Sequence, residues 1–286
     1  MKFVAIDWGT SSFRAWLIER DQISDYLQTD QGVKNFASGS HSAYLIKVLG
    51  KWQGQYDRII AIGMIGSSIG LYETDISPLP IDIDEVSNSL IQVPNFEPAL
   101  YIVPGVSKVG DVMRGEESQS LASGLENGLV ISPGTHSKWV EIKSGKITDF
   151  RTYLTGELFE LLRNHSTLSK ATNSSAKLVA SGDFVEGLNA QPSDLTHDLF
   201  AIRANWLQGK TEDASREYLS GLLIGAEIKS AKSWCQASEA RIVASDSLAE
   251  IYIFALSHFG IKATVENSGQ LINYFVALAK KVESKS

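Results

Sequence analysis

Two short turns of this sequence carry small polar residues of the kind that bind phosphate groups. One is GTSS, residues 9–12, and the other is GTHS, residues 134–137. Glycine lets the backbone approach a ligand without a Cβ in the way, and successive backbone N–H groups of a turn can surround an anion. Hydroxyl groups add further donors. The predicted phosphate-binding residues are Gly9, Thr10, Ser11 and Ser12 in the first turn, and Gly134 and Thr135 in the second.

The two turns belong to a longer internal repeat. They lie between apolar runs, in VAIDWGTSSFRAWLI and in LVISPGTHSKWVEI, and the two blocks end at Gly32 and Gly156. Gly134 follows Gly9 by 125 residues, and Gly156 follows Gly32 by 124. Each turn alone indicates no more than a hairpin, because Gly, Thr and Ser are common turn formers. A repeat that keeps the polar residues of its turn favours a binding role, in which the two turns hold a polyphosphate from both sides.

A carboxylate beside the first turn is a candidate metal ligand. Asp7 ends an apolar strand pattern two residues before Gly9, and hard cations such as Mg²⁺ prefer oxygen ligands. Aspartate is also a common residue at the start of a turn. The residue at the matching position of the second block is Ser132. The sequence therefore predicts a Mg²⁺ site at the first turn and none at the second.

Two glutamates in MRGEESQ, residues 113–119, are candidates for a general base. Glu116 and Glu117 lie at the start of a predicted helix, where acidic residues also interact favourably with the helix dipole. Neighbouring residues of a helix point in different directions, so one glutamate is expected to enter the site while the other faces elsewhere. A carboxylate placed there can orient and deprotonate an attacking hydroxyl group.

Further polar residues are candidates for contact with a substrate. The stretch GMIGSSIG, residues 63–70, follows a predicted strand, and it is either a flexible substrate-binding loop or only a connection. The second turn and the residue after it carry two basic side chains that can reach a phosphate or an acid group. The predicted substrate-binding residues are Met64, Gly66, Ser67, Arg114, His136 and Lys138.

The elements that position these residues alternate between strands and helices. Short strand patterns at residues 3–7, 13–18 and 23–29 predict an antiparallel meander, and the pattern recurs between residues 129 and 153. Later strands alternate with helices, which predicts an α/β protein with one mixed sheet per domain, each opening in a meander and flanked by helices. The repeat predicts an N-terminal domain over residues 1–126 and a C-terminal domain over residues 127–286.

The composition argues against several classes of protein. The net charge of −7, with scattered Lys and Arg, argues against a nucleic-acid partner. No apolar run approaches the roughly 20 residues that span a bilayer. Cys235 is the single cysteine, which excludes an internal disulfide framework and suits a reducing cytoplasm.

There is no GxGxxG fingerprint, and ANWLQGKT misses the P-loop pattern because Ala204 stands where the first glycine belongs. We expect a cytoplasmic protein with no nucleic-acid or membrane partner. The sequence does not decide whether the chain forms a homodimer.

Two domains that each open with a meander and a phosphate-binding turn are the plan of the superfamily that includes hexokinase, actin and the sugar kinases. Within it, the chain resembles the 2-dehydro-3-deoxygalactonokinase family over nearly its whole length. The segments that carry the resemblance are AIDWGTSSFRAWL, GMIGSSIG, VMRGEESQ, SPGTHSKWV, ITDFRTYLTGEL, LLRNHS and LSGLLIGAE. The resemblance implies an enzyme that uses ATP and Mg²⁺ to phosphorylate the 6-hydroxyl group of 2-dehydro-3-deoxy-D-galactonate.

The resemblance also implies roles for the candidate residues. Asp7 would hold Mg²⁺, and the two turns would bind the phosphates. In related sugar kinases an acidic residue seven positions before a glycine is the base, and Glu117 stands at that distance from Gly124. Those relatives carry Asp at this point, and Glu116 is the alternative. Where family members have a Gly-containing turn near the adenosine, this chain has Ser245-Asp246, which we expect to contact the nucleotide.

Two alternatives to this function stay open. The acceptor could be another 2-keto-3-deoxy sugar acid or a neutral sugar, or the chain could bind a nucleotide or sugar acid as a sensor without transferring phosphate. Asp7 and the acidic residues of MRGEE weigh against a sensor, because a sensor needs neither a metal nor a base. An acidic substrate needs at least one cation, for which Arg114 is the first choice and Lys138 the second.

Overall fold

The structure is a computed structural model that describes residues 1–266 and 269–284. The first strands and helices, in chain order, are β1 (Lys2–Trp8), β2 (Phe13–Glu19), β3 (Gln22–Thr29), α1 (His41–Leu49), β4 (Arg58–Gly63), β5 (Ile76–Pro78), α2 (Ile83–Ser89), β6 (Ile91–Gln92), β7 (Ala99–Ile102), β8 (Gly105–Lys108), β9 (Asp111–Met113) and α3 (Glu116–Ala122). They are followed by β10 (Asn127–Ser132), β11 (Ser137–Lys143), β12 (Lys146–Tyr153), α4 (Thr155–His165), α5 (Gly182–Asn189), α6 (Leu195–Leu207), α7 (Glu212–Trp234), β13 (Glu239–Ile242), α8 (Asp246–His258), β14 (Lys262–Val265) and α9 (Gly269–Glu283).

The chain divides into two compact units. The first comprises Met1–Asn127, Ile142–Asp149 and the described part of the segment after Glu266. The second comprises Gly128–Glu141 and Phe150–Glu266. These units differ from the expected division into residues 1–126 and 127–286, because two later segments belong with the first unit.

Specific contacts account for both segments. At the tip of the β11–β12 hairpin, Ile147 exchanges two backbone hydrogen bonds with Ile81, at 2.9 and 3.1 Å. In α9, the ring of Phe275 packs 6.2 Å from that of Trp16, and the buried residues Ile272, Phe275, Leu278, Ala279 and Val282 recur at helical spacing. The amphipathic pattern of α9 predicts a buried face, but it does not say which unit covers that face.

The first unit is built on a six-stranded mixed sheet with strand order β3-β2-β1-β4-β7-β6. β1 pairs antiparallel with β2 and parallel with β4. β1 and β4 are almost entirely buried, which is typical of central strands covered on both faces. In the register of β1 and β2, Trp8 lies opposite Phe13 and Asp7 lies opposite Arg14. The turn GTSS is therefore the connection between these two strands.

The second unit is built on a five-stranded sheet with strand order β12-β11-β10-β13-β14. β13 is parallel to both of its neighbours, and the turn GTHS joins β10 to β11. Helix α7 packs closely against α5 because of its small residues: a Cβ on Gly221 would lie 2.0 Å from the carbonyl oxygen of Phe184. Across the two described stretches of chain, no helix has both the length and the apolar character needed to cross a bilayer.

A smaller sheet in the first unit corrects the expectation of one sheet per domain. Its strand order is β5-β8-β9. The three strands are three or four residues long, which is too short for a pattern of alternation to be recognised in the sequence. This sheet leads directly into Arg114 and α3, so it helps to place the candidate base.

Candidate active site

The first turn is fixed by the segment that follows the meander. Within the turn, the Gly9 N–H donates to the Ser12 carbonyl at 2.9 Å. The later residue Gly32 packs against the turn so closely that a Cβ on it would lie 2.1 Å from the carbonyl oxygen of Thr10. The next residue, Val33, donates its N–H to the Gly9 carbonyl at 3.0 Å. The backbone of the turn is thereby held from behind.

The second turn is fixed in the same way. A Cβ on Gly156 would lie 2.2 Å from the carbonyl oxygen of Gly134. The next residue, Glu157, donates its N–H to the Thr135 carbonyl at 2.9 Å, and its carboxylate contacts His136 Nε2 at 2.7 Å. Gly32 and Gly156, which end the two sequence blocks, thus play the same structural role. Each lies at the start of a helical turn whose backbone packs against the GTSS or the GTHS turn.

The glycines inside the turns are different, because no contact among the described residues requires a glycine at either position. A Cβ on Gly9 or Gly134 would have no neighbour closer than 3.7 Å, and neither residue has a positive φ. Thr10, Ser11 and Thr135 are exposed. The space that these glycines leave lies at exposed turns rich in hydroxyl groups, as a phosphate ligand would need.

Asp7 lies at the end of β1 with 7% of its surface exposed. Its Oδ2 atom accepts hydrogen bonds from Arg14 Nη2 at 2.5 Å and from Gln119 Nε2 at 3.4 Å. Its Oδ1 atom accepts none from the residues that the structure describes. Mg²⁺ is commonly held by one or two carboxylates together with water and substrate phosphates. A single carboxylate with an open oxygen beside the first turn therefore fits Mg²⁺.

The second turn has no carboxylate at the position that corresponds to Asp7. Ser132, the counterpart of Asp7, is buried, and its hydroxyl group has no hydrogen-bond partner among the described residues. Within residues 1–266 and 269–284, no group of three His, Cys, Asp or Glu side chains could hold a metal ion. The two halves of the repeat thus share a turn but differ at the residue two positions before it, which is Asp7 in the first and Ser132 in the second.

Glu117 is the buried member of the glutamate pair. It is 1% exposed, and its carboxylate accepts hydrogen bonds from the Gly115 N–H at 2.6 Å and from Ser118 Oγ at 2.9 Å. Burial, with the neighbouring charge of Glu116 as a second cause, raises the pKa of Glu117 to about 7. Glu116 is more exposed and accepts a hydrogen bond from the Arg114 N–H at 3.2 Å. A carboxyl group poised near pH 7 is suited to general-base work.

Arg114 is held beside the stretch GMIGSSIG. Its Nη1 donates to Thr74 Oγ1 at 2.9 Å and its Nη2 to the Thr74 carbonyl at 3.1 Å. Burial lowers the pKa of the Arg114 guanidinium, which nevertheless stays charged at neutral pH. A Cβ on Gly66 would lie 3.5 Å from Arg114 Nη1, so Gly66 and Arg114 are close neighbours in the first unit.

The stretch GMIGSSIG contains a short helical turn and several hydrogen bonds. Met64–Gly66 forms a turn of 3₁₀ helix. Ser67 is buried and donates its hydroxyl to the Met64 carbonyl at 2.7 Å. Further along, the Thr74 N–H donates to the Gly66 carbonyl at 3.0 Å. These hydrogen bonds connect the stretch to its own first residue and to Thr74.

The two basic candidates of the second unit are both engaged within it. Lys138 is 4% exposed, and its Nζ donates to Thr152 Oγ1 at 2.8 Å. The exposed His136 contacts Glu157. The two residues differ in burial because His136 belongs to the exposed turn, whereas Lys138 lies in β11, whose first four residues are all buried.

An apolar cavity of about 100 Å³ adjoins the second turn. Its lining includes Gly134, Thr155 and Tyr252, together with apolar side chains such as that of Leu248. Leu248 and Tyr252 lie on α8, which begins at Asp246 and has Ser245 as its N-cap. Both Ser245 and Asp246 are exposed.

Several residues of the site escaped the sequence analysis. Arg14 could have been found, because it lies as far after the first turn as Asp7 lies before it. Gln119 lies within MRGEESQ but carried no distinctive chemistry. Thr74, Ser118 and Tyr274 gave no signal. Ser118 Oγ lies 3.3 Å from the Tyr274 hydroxyl, a contact between residues 156 positions apart that no local pattern reveals.

The fold is that of the sugar kinases and actin-like ATPases. The structure matches a ROK family glucokinase from Streptomyces griseus, solved with glucose and AMPPNP, at a TM-score of 0.51 and 11% sequence identity, over 98% of this chain and 100% of that chain. This likeness concerns the fold alone, and it confirms the predicted fold class.

The family follows from closer relatives. The model of the 2-keto-3-deoxy-galactonokinase family matches residues 7–274. The 2-dehydro-3-deoxygalactonokinase of Escherichia coli (strain K12) is 34% identical over 274 residues, 92% of each chain. The solved structure of a candidate 2-dehydro-3-deoxygalactonokinase from Sinorhizobium meliloti is 30% identical, with a TM-score of 0.90 over 99% of this chain and 96% of that one. The chain belongs to the 2-keto-3-deoxy-galactonokinase family, which confirms the resemblance seen in its sequence.

Alanine substitutions at the glycines inside the turns, and at the glycines packed behind them, separate an effect on ATP binding from an effect on folding. Gly9→Ala and Gly134→Ala should leave the free energy of unfolding within about 0.5 kcal/mol of wild type, while ATP affinity falls at least about tenfold, the worth of one hydrogen bond to a charged group. The matched controls Gly32→Ala and Gly156→Ala should lower the free energy of unfolding by about 2 kcal/mol or more, because the new Cβ meets a backbone oxygen. Denaturant unfolding and ATP titration measure the two effects. Unchanged ATP affinity in both Gly9→Ala and Gly134→Ala would contradict the phosphate-binding role.

Proposed function

We propose that this chain transfers the γ-phosphoryl group of ATP to the 6-hydroxyl group of 2-dehydro-3-deoxy-D-galactonate, giving the 6-phosphate and ADP in sugar-acid catabolism. The observation that carries the proposal is the family match over residues 7–274, which include every candidate site residue. The relative from Escherichia coli is named for this activity.

The turns are the proposed phosphate sites. Backbone N–H groups of Gly9–Ser12 and of Gly134-Thr135 donate to phosphate oxygens, and the hydroxyl groups of the turns add donors. Asp7 is the residue that would hold Mg²⁺, which supplies positive charge to the transferring phosphoryl group when it is bound. Arg14 orients Asp7, because its guanidinium contacts one carboxylate oxygen and leaves the other open.

Glu117 is the proposed general base. As O6 of the sugar acid attacks the γ-phosphorus, its proton passes to the Glu117 carboxylate, and the bond between the γ-phosphorus and the oxygen retained by ADP breaks. A pKa near 7 leaves a substantial fraction of Glu117 ionised at neutral pH and able to accept that proton. Glu116 is the alternative base.

The acid group of the substrate needs a cation, and the structure favours Arg114. Thr74 fixes the orientation of its guanidinium, and the ordered stretch at Met64–Ser67 lies beside it. Lys138 is a weaker candidate, because its ammonium group is buried against Thr152. His136 and the pair Ser245-Asp246 are proposed contacts of the nucleotide side of the reaction.

Acceptor-dependent release of ADP tests this function. Purified chain with Mg-ATP should release ADP in the presence of 2-dehydro-3-deoxy-D-galactonate and not in its absence. The gluconate epimer, glucose and glycerol serve as alternative acceptors. Robust turnover of glucose or glycerol with none of the keto-acid would overturn the choice of substrate. ATP binding without ADP release from any acceptor would favour the sensor.

The two glutamates are told apart by paired amide variants. Glu117→Gln should lower turnover by roughly 10² or more and keep the fold, since the amide oxygen can still accept from Gly115 while the Ser118 hydroxyl turns to accept from the amide.

For wild type, the turnover rate should fall as the pH drops through about 7, because the protonated carboxyl group cannot accept a proton.

Glu116→Gln is the matched control. It should retain turnover and move the acidic limb of the pH–rate profile to lower pH, because removal of the neighbouring negative charge lowers the pKa of Glu117. Full turnover in Glu117→Gln together with loss in Glu116→Gln would transfer the role of base to Glu116.

A further inference from the structure

A buried carboxylate in the second unit gathers side-chain donors from three different elements. Glu227, on α7, is 3% exposed. Its Oε1 accepts hydrogen bonds from Ser137 Oγ and Trp139 Nε1 of β11, each at 2.7 Å. Its Oε2 accepts from the Tyr252 hydroxyl of α8 at 2.9 Å and from Thr155 Oγ1 at the start of α4. Nothing in the proposed chemistry so far uses Glu227.

The burial of the Glu227 carboxyl group has to be explained by a compensating role. Burying a carboxylate costs free energy unless donors replace the water that it loses. Burial raises the pKa of Glu227, and the four donors oppose that shift. An apolar residue would fill the same space without any such cost, so the particular property of the carboxylate is that it fixes the directions of four donors at once.

The elements that supply the donors frame the second turn. Ser137 is the last residue of the turn GTHS. Thr155 directly precedes Gly156, the glycine that packs on the carbonyl oxygen of Gly134. Tyr252 lines the apolar cavity beside the turn, as do Thr155 and Gly134. One carboxylate therefore joins the end of the turn, the helix that packs behind it and the wall of the adjoining cavity.

We propose that Glu227 is a positioning residue that holds the second turn and the adjoining cavity in the geometry that binds ATP. The inference rests on the proposed function in that it takes ATP as the ligand of this turn. Glu227 contacts no substrate in this account; it acts through Ser137, Thr155 and Tyr252. Its effect should therefore fall on the nucleotide and spare the sugar acid.

Glu227→Gln changes one pair of these bonds. The Trp139 indole can only donate, so the amide oxygen of the glutamine must face Trp139 and Ser137. The amide nitrogen then faces Thr155 and Tyr252, whose hydroxyl groups have to turn and accept. We expect the KM for ATP to rise about tenfold or more, the worth of one hydrogen bond to a charged group, with the KM for the sugar acid within about twofold of wild type.

Two further comparisons guard against a loss of folding. Glu217→Gln is a matched control on the same helix, because Glu217 is also buried and lies outside the cluster; its KM for ATP should equal that of wild type. Thr155→Val removes a donor without a change of shape and should raise the KM for ATP, whereas Thr155→Ser restores the hydroxyl group and should bring the KM back. Thermal unfolding of each variant, with and without ATP, reports stability and binding separately.

The outcomes separate this inference from the proposed function. A selective rise in the KM for ATP in Glu227→Gln and Thr155→Val, reversed in Thr155→Ser, supports it. An unchanged KM for ATP, or equal rises for ATP and the sugar acid, overturns it. If wild type releases no ADP with any acceptor, the proposed function fails, and the ATP affinities of the same variants still decide the role of Glu227. If wild type binds no ATP, both fail.

Discussion

The contact between each turn and the glycine that ends its half of the repeat is the constraint on which both candidate phosphate sites depend. At Gly32 and at Gly156 the backbone approaches a turn carbonyl so closely that no side chain fits. The following residue then donates an N–H back to the turn. Each turn is therefore held by backbone contacts from behind, which leaves its front for a ligand. Gly9 and Gly134, which face no such contact, are explained better by a ligand than by the fold.

The two halves of the repeat share this support and differ in the charges around it. In the first unit, Asp7 beside the turn contacts Arg14, and the carboxyl group of Glu117 lies close to the Arg114 guanidinium. In the second unit, the exposed Glu157 contacts His136 of the turn, and the buried Glu227 accepts hydrogen bonds from neutral donors such as Ser137 and Tyr252. The proposed acid–base and Mg²⁺ roles therefore belong to the first unit, while the second offers hydroxyl groups, backbone N–H groups and an apolar cavity. Phosphoryl transfer depends on positioning and electrostatic stabilisation at the γ-phosphate end of the nucleotide. A site with its charged groups in one unit suits that requirement.

Much of the fold could be predicted because its signals are local. The duplicated meander, the turns and the strand before GMIGSSIG rest on the order of apolar, polar and turn-forming residues over short windows. The long-range contacts could not be predicted from such windows. The place of α9 depends on Phe275 meeting Trp16, and the small sheet has strands too short to show a period. Lys138 illustrates the same limit within the site: a basic residue after a phosphate turn suggests a ligand contact, but its position in β11 directs it to Thr152.

The central claim is that a phosphoryl group passes from ATP to the 6-hydroxyl group of the keto-acid, and the position of the phosphate in the product tests it most directly. The product formed from Mg-ATP and 2-dehydro-3-deoxy-D-galactonate would be examined by phosphorus–proton correlation NMR. We expect the phosphorus to couple to the two protons on C6 and to no other protons of the sugar acid. Coupling to a proton at another carbon, or no phosphorylated sugar acid although ATP is consumed, would contradict the account.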